Sequence, residues 1–346
     1  MLACVIHNAK DLRLEQRETP ELEANEVLVR FGAGGICGSD LHYFAHGGVG
    51  DFHLREPMVL GHEVSGEVVK IGDGVSSVSL GDHVAVDPSR PCRTCDYCLS
   101  GHGNLCRNMR FFGSAALFPH VQGGFSEFFK VADFQCHVVP QSIPYHVVAC
   151  AEPLAVTLHA VSRVGSLMGA KVLVTGSGPI GVLTVAAAKL AGASEITITD
   201  LFDQPLEIAL RMGATRAVNT ASNPDKLEEF QANKGVFDVS FEASGNARAL
   251  ETCVHSTRPG GSLVQIGILP PGLTNTPINK ILAKELGFFG TFRFHQEFKW
   301  AVDALVSERI KVEPILTAQF GFQDAVAAFE LAADRQKAMK VSLRLE

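Results

Sequence analysis

The chain has 346 residues, enough for about two domains, and 46% of them are hydrophobic while 19% are charged. This composition excludes a largely disordered protein, because the chain has enough apolar side chains to form a core. The net charge of −7 argues against non-specific binding to nucleic acid, which needs a basic surface. No apolar stretch is long enough to span a bilayer, and the N-terminal sequence lacks the features of a secretory signal, so a cytoplasmic location is expected.

The cysteine content also favours a reducing compartment. The chain has nine cysteines, an odd number, which predicts free thiols and metal ligands rather than a disulfide framework. Cys4, Cys136, Cys150 and Cys253 are expected to be buried thiols.

In chain order, short strand-like runs come first. Residues 1–148 contain runs such as Glu26–Phe31 and His83–Val86, separated by Gly, Asp and Pro, which indicates a mainly β domain. From residue 149 to 283, strand-like and helix-like segments alternate, which predicts a doubly wound parallel sheet. Residues 284–346 are expected to return to the first domain. The predicted fold class is therefore α/β with two domains.

The second domain opens with a dinucleotide-binding pattern. The strand-like segment at 172–175 leads into Gly176-x-Gly178-x-x-Gly181 and a helix-like segment, and Asp200 ends the next strand-like run. Such a turn brings a pyrophosphate to a helix N-terminus, and the acidic residue binds the ribose hydroxyls. Asp200 favours NAD over NADP, since it would repel a 2′-phosphate; a simple glycine-rich turn is the alternative. The predicted cofactor-binding residues are Gly176, Gly178, Pro179, Ile180, Gly181 and Asp200.

Four cysteines lie close together in the first domain, at Cys92, Cys95, Cys98 and Cys106. Four thiolates in one loop can complete a tetrahedral shell around Zn²⁺, which predicts a structural zinc site. An iron–sulfur cluster and a set of unrelated thiols are the alternatives.

A second, more dispersed group of residues has the composition of a catalytic zinc site. Cys37 and His62 supply a thiolate and an imidazole, and Glu63 or Glu152 supplies a carboxylate. Three protein ligands with one open position are typical of catalytic zinc. For His62 taken alone, a structural histidine is the better interpretation.

Several motifs together resemble the zinc-containing medium-chain dehydrogenases/reductases, over nearly the whole chain. They are GICGSD, GHEVSGEVVKIGDGV, GDHVAV, the four-cysteine segment, AEPLAV and VTGSGPIG. Within that family the chain is similar to the sorbitol dehydrogenase branch, and its segments MRFFGSAALFPHVQGGF and GTFRF are most like those of dehydrogenases that act on L-idonate. The resemblance implies a GroES-like catalytic domain at 1–148, a Rossmann NAD-binding domain at 149–283, and a return to the catalytic domain at 284–346.

The resemblance also implies site residues. Catalytic zinc would be held by Cys37, His62 and Glu152, with Glu63 as a direct, water-mediated or exchanging ligand. Ser39 matches the proton-relay position, and His42 is the candidate for its outer end. Structural zinc would be held by Cys92, Cys95, Cys98 and Cys106. Substrate contacts are expected at Tyr43, Arg110, Phe112 and Arg293, and Phe294 stands where some sorbitol dehydrogenases have tyrosine.

The expected reaction is the reversible, NAD-dependent oxidation of a secondary alcohol of a sugar acid, L-idonate to 5-keto-D-gluconate. The carboxylate of this substrate calls for a cation, for which Arg110 is the first candidate and Arg293 the second; packing of the Arg110 stem on apolar surface is the alternative. A sorbitol or xylitol dehydrogenase is the second hypothesis. The third, from another class, is a zinc-free nucleotide-binding protein resembling quinone reductases or crystallins. A homotetramer or homodimer is expected, with no nucleic-acid or membrane partner.

Overall fold

The computed structural model describes residues 1–345, and its chain divides into two compact units. The first unit comprises residues 1–152, 298–308 and 316–345. The second comprises residues 153–297 and 309–315. None of the helices in the described range is both long and apolar enough to cross a membrane.

The strands of the described chain are Leu2–Asn8 (β1), Asp11–Gln16 (β2), Glu26–Gly35 (β3), Gly48–Val49 (β4), Phe52–His53 (β5), Met58–Val59 (β6), Glu63–Ile71 (β7), His83–Val86 (β8), Ser89–Arg90 (β9), Arg110–Phe111 (β10), Phe128–Ala132 (β11), Cys136–Val139 (β12), Lys171–Thr175 (β13), Glu195–Asp200 (β14), Arg216–Asn219 (β15), Phe237–Glu242 (β16), Thr257–Gln265 (β17), Gly287–Gly290 (β18), Leu316–Gly321 (β19) and Lys340–Arg344 (β20).

The α-helices are Gly38–His46 (α1), Asp96–Leu99 (α2), Tyr145–Val148 (α3), Ala151–Ser162 (α4), Pro179–Leu190 (α5), Asp203–Met212 (α6), Lys226–Gln231 (α7), Ala247–Ser256 (α8), Ile278–Ala283 (α9), Glu297–Val306 (α10) and Ala325–Ala333 (α11). Short 3₁₀ turns lie at Gly103–Leu105, Asp133–Gln135, Ala232–Lys234, Glu313–Ile315 and Phe322–Asp324.

The first unit is built on a seven-stranded sheet in the order β12-β8-β7-β3-β20-β19, with β11 also paired to β3. Strand β3 is its centre, because it pairs antiparallel with β7, β11 and β20. Alternate residues Val27, Val29 and Phe31 are buried in the core of this unit, as the two-residue period of a strand requires. The pairing of Ser342 with Gly35 brings the end of the chain back into this sheet.

The second unit contains a parallel six-stranded sheet in the order β15-β14-β13-β16-β17-β18. Val172, Leu173 and Val174 of β13 are all fully buried, as expected for a parallel strand covered on both faces. The strand order reverses between β13 and β16, which in open α/β sheets is where ligands bind. The expected boundary at residue 283 is too early for this unit, because β18 still pairs with β17 and the chain leaves the unit only after Glu297.

Candidate active site

A thiol, an imidazole and a carboxylate come together in the first unit. Cys37 follows β3 and caps α1, while His62 immediately precedes β7 and Glu63 begins it. Because Gly35 of β3 pairs with Glu63 of β7, the two chain segments meet at the end of this strand pair. The ligand atoms of Cys37, His62 and Glu63 all lie within 4.8 Å of one another.

Asp40 supports this cluster from the first turn of α1. Its buried carboxylate accepts hydrogen bonds from the backbone N–H groups of Cys37, at 3.0 Å, and Gly61, at 3.3 Å. Its Oδ1 lies 3.7 Å from Nδ1 of His62, too far for a hydrogen bond. Asp40 therefore fixes the backbone on both sides of the cluster. Sequence reasoning missed this residue, although it stands only three positions after Cys37.

The negatively charged groups around His62 favour the binding of a cation beside it. Burial alone would lower the pKa of His62, but the negative groups of Asp40, Cys37 and Glu152 outweigh it and hold the pKa well above the usual range. His62 Nδ1 is buried and has no hydrogen-bond partner among residues 1–345. A buried nitrogen without a partner, among anionic groups, is suited to bind a metal ion.

The two candidate carboxylates differ in their surroundings. Glu63 accepts hydrogen bonds from Lys340 Nζ on both of its oxygens, at 2.8 Å each. Glu152, in the first turn of α4, lies outside the 4.8 Å cluster but is buried and near enough to His62 and Glu63 to interact electrostatically with both. Burial raises the pKa of Glu152 to about 8. Among residues 1–345, Glu152 forms no ion pair of the kind that Lys340 forms with Glu63.

The expected relay residues both lie on α1. Ser39 is half-buried near the start of the helix, and His42 is exposed one turn further on. The pKa of His42 is lowered, first by burial and then by the charges of His46 and Arg335. His42 is therefore able to accept a proton at neutral pH.

Three of the expected substrate residues differ in their burial and in their contacts. Tyr43 is buried, and its hydroxyl accepts a hydrogen bond from the backbone N–H of Ala115 at 3.0 Å. Arg110 is exposed on β10 and makes no ion pair within residues 1–345. Arg293, in the second unit, adopts a φ of 57° and lies over the ring of Phe292.

The structure places Phe111, not the predicted Phe112, beside the cluster. The rings of Phe111 and His62 have centroids 5.6 Å apart. Phe112 is 9% exposed and packs in the core against Phe129. Successive residues of a strand point to opposite faces, so only one of the two rings can face His62. Phe111 was missed because the sequence does not show which face of this two-residue strand is buried.

The four predicted cysteines of the second cluster also converge. The sulfur atoms of Cys92, Cys95, Cys98 and Cys106 all lie within 4.8 Å of one another. Hydrogen bonds from Thr94 lower the pKa of Cys92 to about 5, whereas burial and the neighbouring thiols raise the pKa of Cys98 to about 12. A set of sulfurs this close fits one tetrahedral metal ion with no open position.

The glycine-rich turn of the second unit has the shape that a pyrophosphate needs. Gly176 has a φ of +91°, and a Cβ there would lie 2.8 Å from Ser244. A Cβ on Gly181 would lie 1.8 Å from the carbonyl oxygen of Gly176, so helix and turn pack closely. For Gly178, the N-cap of α5, no atom of residues 1–345 apart from its own chain neighbours lies within 4 Å of the Cβ position. This open side at a helix N-terminus fits a bound phosphate group.

Asp200 stands beside this turn at the end of β14. Its carboxylate accepts hydrogen bonds from the backbone N–H groups of Ser177, at 2.6 Å, and Leu201, at 2.7 Å. The side chain is thereby held at the edge where the ribose of a dinucleotide is expected. Pro179 and Ile180 form the first turn of α5 between the glycines.

Comparison with known proteins identifies the family of this chain. Residues 23–141 match the alcohol dehydrogenase GroES-like domain, and residues 179–307 match the zinc-binding dehydrogenase domain. The chain is 41% identical over 341 residues to L-idonate 5-dehydrogenase (NAD(P)(+)) of Escherichia coli K12, covering 99% of this chain and 98% of that protein. It is 36% identical to sorbitol dehydrogenase of Gallus gallus, covering 100% and 96%.

The fold is shared with solved structures of such enzymes. The crystal structure of L-idonate 5-dehydrogenase from Escherichia coli K-12 superposes with a TM-score of 0.95, at 41% identity, and covers 99% of this chain and 98% of that one. With two metal-ligand clusters, a dinucleotide turn and full-length relatives, the chain belongs to the zinc-binding dehydrogenase family, with a GroES-like domain and a Rossmann-type domain.

Proposed function

We propose that this protein is a zinc-dependent dehydrogenase that oxidises a secondary alcohol of a sugar acid with NAD, reversibly converting L-idonate to 5-keto-D-gluconate. The observation that carries the proposal is the cluster of half-buried Cys37 with buried His62 and Glu63, in a chain that is 41% identical to an L-idonate 5-dehydrogenase over almost its full length. Cys37, His62 and Glu63 form one close cluster and the four cysteines of residues 92–106 form another, which disfavours a zinc-free quinone-reductase-like or crystallin-like protein.

The residues present fit both zinc ions and the dinucleotide. Cys37 and His62, with Glu152 or Glu63, would hold catalytic zinc, and the four thiols of residues 92–106 would hold structural zinc. Gly176, Gly178, Gly181 and Asp200 would hold NAD. When bound, zinc supplies Lewis acidity that lowers the pKa of an alcohol hydroxyl, and NAD supplies the hydride acceptor.

The chain's own groups orient the substrate and move the proton. Ser39, near the start of α1, would take the proton from the substrate hydroxyl, and the exposed His42 would receive it at the surface. The lowered pKa of His42 keeps it neutral and ready to accept. Asp40 holds the backbone of Cys37 and Gly61, so that the site does not reorganise during the reaction.

Recognition of the substrate carboxylate is assigned to Arg110. Its guanidinium is exposed and has no ion-pair partner within residues 1–345, so it is available to form two parallel hydrogen bonds to a carboxylate. Its neighbour Phe111 lies beside His62, which ties this strand to the metal cluster. Arg293 is the second candidate, and Tyr43 and Phe112 support the site from the core.

The decisive experiment compares NADH formation from L-idonate, D-sorbitol, xylitol and D-gluconate, with NAD and NADP each tried. A kcat/KM for L-idonate well above the values for neutral polyols supports the proposal. The sorbitol or xylitol alternative rests on the 36% identity to sorbitol dehydrogenases and is adopted if the neutral polyols are preferred. The Arg110→Ala variant then tests the carboxylate contact, because it should weaken L-idonate selectively and leave sorbitol turnover unchanged.

A homodimer or homotetramer and a cytoplasmic location complete the proposal. Strand β18 lies at the edge of the six-stranded sheet and carries the exposed Phe288, and the segment that precedes it in sequence carries further exposed apolar side chains, at Ile268, Leu273, Ile278 and Leu282. An apolar sheet edge of this kind favours pairing with a second copy of the chain. Within residues 1–345 the nine cysteines form no disulfide, which favours a reducing compartment. Size-exclusion chromatography with light scattering tests the oligomer.

A further inference from the structure

A buried carboxylate at the end of β16 belongs to neither metal cluster. Glu242 is fully buried, and it accepts hydrogen bonds from the backbone N–H of Ser244 at 2.7 Å and of Gly245 at 3.1 Å. It also accepts from the hydroxyl of Ser244 and from Nε2 of Gln265, the latter at 2.5 Å. All of these donors are neutral, and no ion pair with Glu242 is found in residues 1–345. A buried carboxylate without a cation is costly, so its presence calls for an explanation.

Glu242 lies where the ends of three strands meet. The backbone carbonyl of Glu242 accepts hydrogen bonds from Ile266, at 2.8 Å, and Gly267, at 2.9 Å, in the segment after β17. The next residue, Ala243, donates its N–H to the carbonyl of Thr175 at the end of β13. Glu242 therefore joins the carboxyl ends of three neighbouring strands, at the point where the strand order reverses.

Two polar atoms at the same edge of the sheet lack partners. Oε1 of Gln265 and Oγ1 of Thr291 are buried and make no hydrogen bond within residues 1–345. The two residues are neighbours across the strand ends, because the N–H of Thr291 lies 3.3 Å from the carbonyl oxygen of Gln265. Buried polar atoms without partners indicate a polar ligand, and a carboxamide group carries both the donors and the acceptor that these atoms lack.

We propose that Glu242 is a positioning residue that shapes the segments 243–246 and 265–267 to bind the nicotinamide half of the dinucleotide. The proposal rests on the NAD dependence proposed above. Gly178 and Asp200 on the β13–β14 side account for the pyrophosphate and the adenosine ribose. The second mononucleotide then lies over the ends of β16 and β17, whose segments Glu242 holds. Gln265, oriented by Glu242 through its Nε2, presents its free Oε1 to the carboxamide.

The test compares a ligand that fills both halves of the site with one that fills only the adenosine half. NADH binding is followed by its fluorescence and AMP binding by calorimetry, using the zinc-loaded full chain. In Glu242→Gln, an amide group replaces an acceptor that faces three N–H donors, so these segments must shift. We expect the Kd for NADH to rise about tenfold or more, while the Kd for AMP changes less than about twofold. Zinc content should not change.

Matched variants separate this role from a general loss of structure. Asp200→Asn should raise the Kd for AMP and the Kd for NADH by similar factors, unlike Glu242→Gln, which should raise the Kd for NADH alone. Ser244→Ala removes one hydrogen bond to Glu242. It should raise the Kd for NADH by less than Glu242→Gln does and leave the Kd for AMP unchanged. This variant provides the test if Glu242→Gln folds poorly. If Glu242→Gln and Ser244→Ala raise the Kd for NADH and the Kd for AMP by the same factor, or raise neither, the inference is overturned. Failure of the proposed function would appear instead as an unaltered chain that binds no NADH.

Discussion

Nζ of Lys340 lies 2.8 Å from each carboxylate oxygen of Glu63, and both side chains are buried. The same amino group lies 3.3 Å from the carbonyl oxygen of Ile36, the residue before Cys37. Burial alone would lower the pKa of Lys340, but the negative charges of Glu63 and Cys37 outweigh it and raise the pKa. Lys340 therefore stays charged, neutralises Glu63 and ties the last strand of the chain to the metal cluster.

The first prediction concerns this ion pair. Lys340→Met should lower the free energy of unfolding by about 3–5 kcal/mol, because it leaves the carboxylate of Glu63 buried and unpaired. The double variant Lys340→Met with Glu63→Gln should recover most of that loss, since no charge then remains without a partner. Urea denaturation of the zinc-loaded chain measures both. A double variant no more stable than Lys340→Met would show that the loss comes from packing and not from charge.

The second prediction concerns the catalytic cluster. Cys37→Ser should abolish activity and reduce the zinc content from about two atoms per chain to about one, because a hydroxyl is a far weaker zinc ligand than a thiolate. NADH binding should be retained, since the dinucleotide turn lies in the second unit. Metal analysis, turnover and NADH fluorescence check the three outcomes. Cys136→Ser, which alters a thiol outside both clusters, is the control and should keep both zinc ions. Near-normal turnover of Cys37→Ser with zinc retained would contradict the assignment.

Features that depend on neighbouring residues could be predicted from the sequence. The four cysteines of residues 92–106 converge because they belong to one loop, and Gly176, Gly178 and Gly181 occupy one strand–turn–helix segment. In each case the spacing itself determines the geometry. The runs Glu26–Phe31 and His83–Val86 were likewise recognisable as strands from their composition.

Features that depend on long-range pairing could not be predicted. Lys340 is 277 residues from Glu63 in sequence, and only the pairing of β20 with β3 brings it to the cluster. The position of Phe111 beside His62 could not be predicted, because a two-residue strand shows no alternation that would identify its buried face. The contact of Glu242 with Gln265 could not be predicted either, because it forms only when β16 pairs with β17.

The third prediction concerns the four-cysteine loop. Cys106→Ser should remove one zinc ion and expose the loop to limited proteolysis, because metal ligation replaces a hydrophobic core in so short a segment. The exposed ion pair between Arg107 and Asp96, at 2.8 Å, is too weak to hold the loop alone. Mass spectrometry of the cleavage products should locate cuts within residues 92–107. A loop that resists protease after zinc loss would show that other contacts hold it.

The fourth prediction concerns pH and the buried carboxylate of Glu297. Oε1 of Glu297 lies 3.1 Å from Nδ1 of His159, and its Oε2 accepts the N–H of His295 at 2.9 Å. Burial alone would raise the pKa of Glu297, but these hydrogen bonds outweigh it and lower the pKa to about 2. Since the folded pKa lies below the unfolded one, the stabilisation is fully present above the unfolded pKa and is lost as the pH falls toward the folded value.

Glu297→Gln should therefore lower the free energy of unfolding at pH 7 by about 2 kcal/mol. The difference from the unaltered chain should stay constant between about pH 8 and pH 5 and shrink only below about pH 4, where the unfolded state takes up a proton first. Urea denaturation across this pH range measures the difference in the free energy of unfolding. Glu313→Gln, which alters an exposed carboxylate, is the control and should leave the free energy of unfolding almost unchanged. A difference that changes between pH 8 and pH 6 would contradict this assignment, because a carboxylate with so low a pKa does not change its charge there.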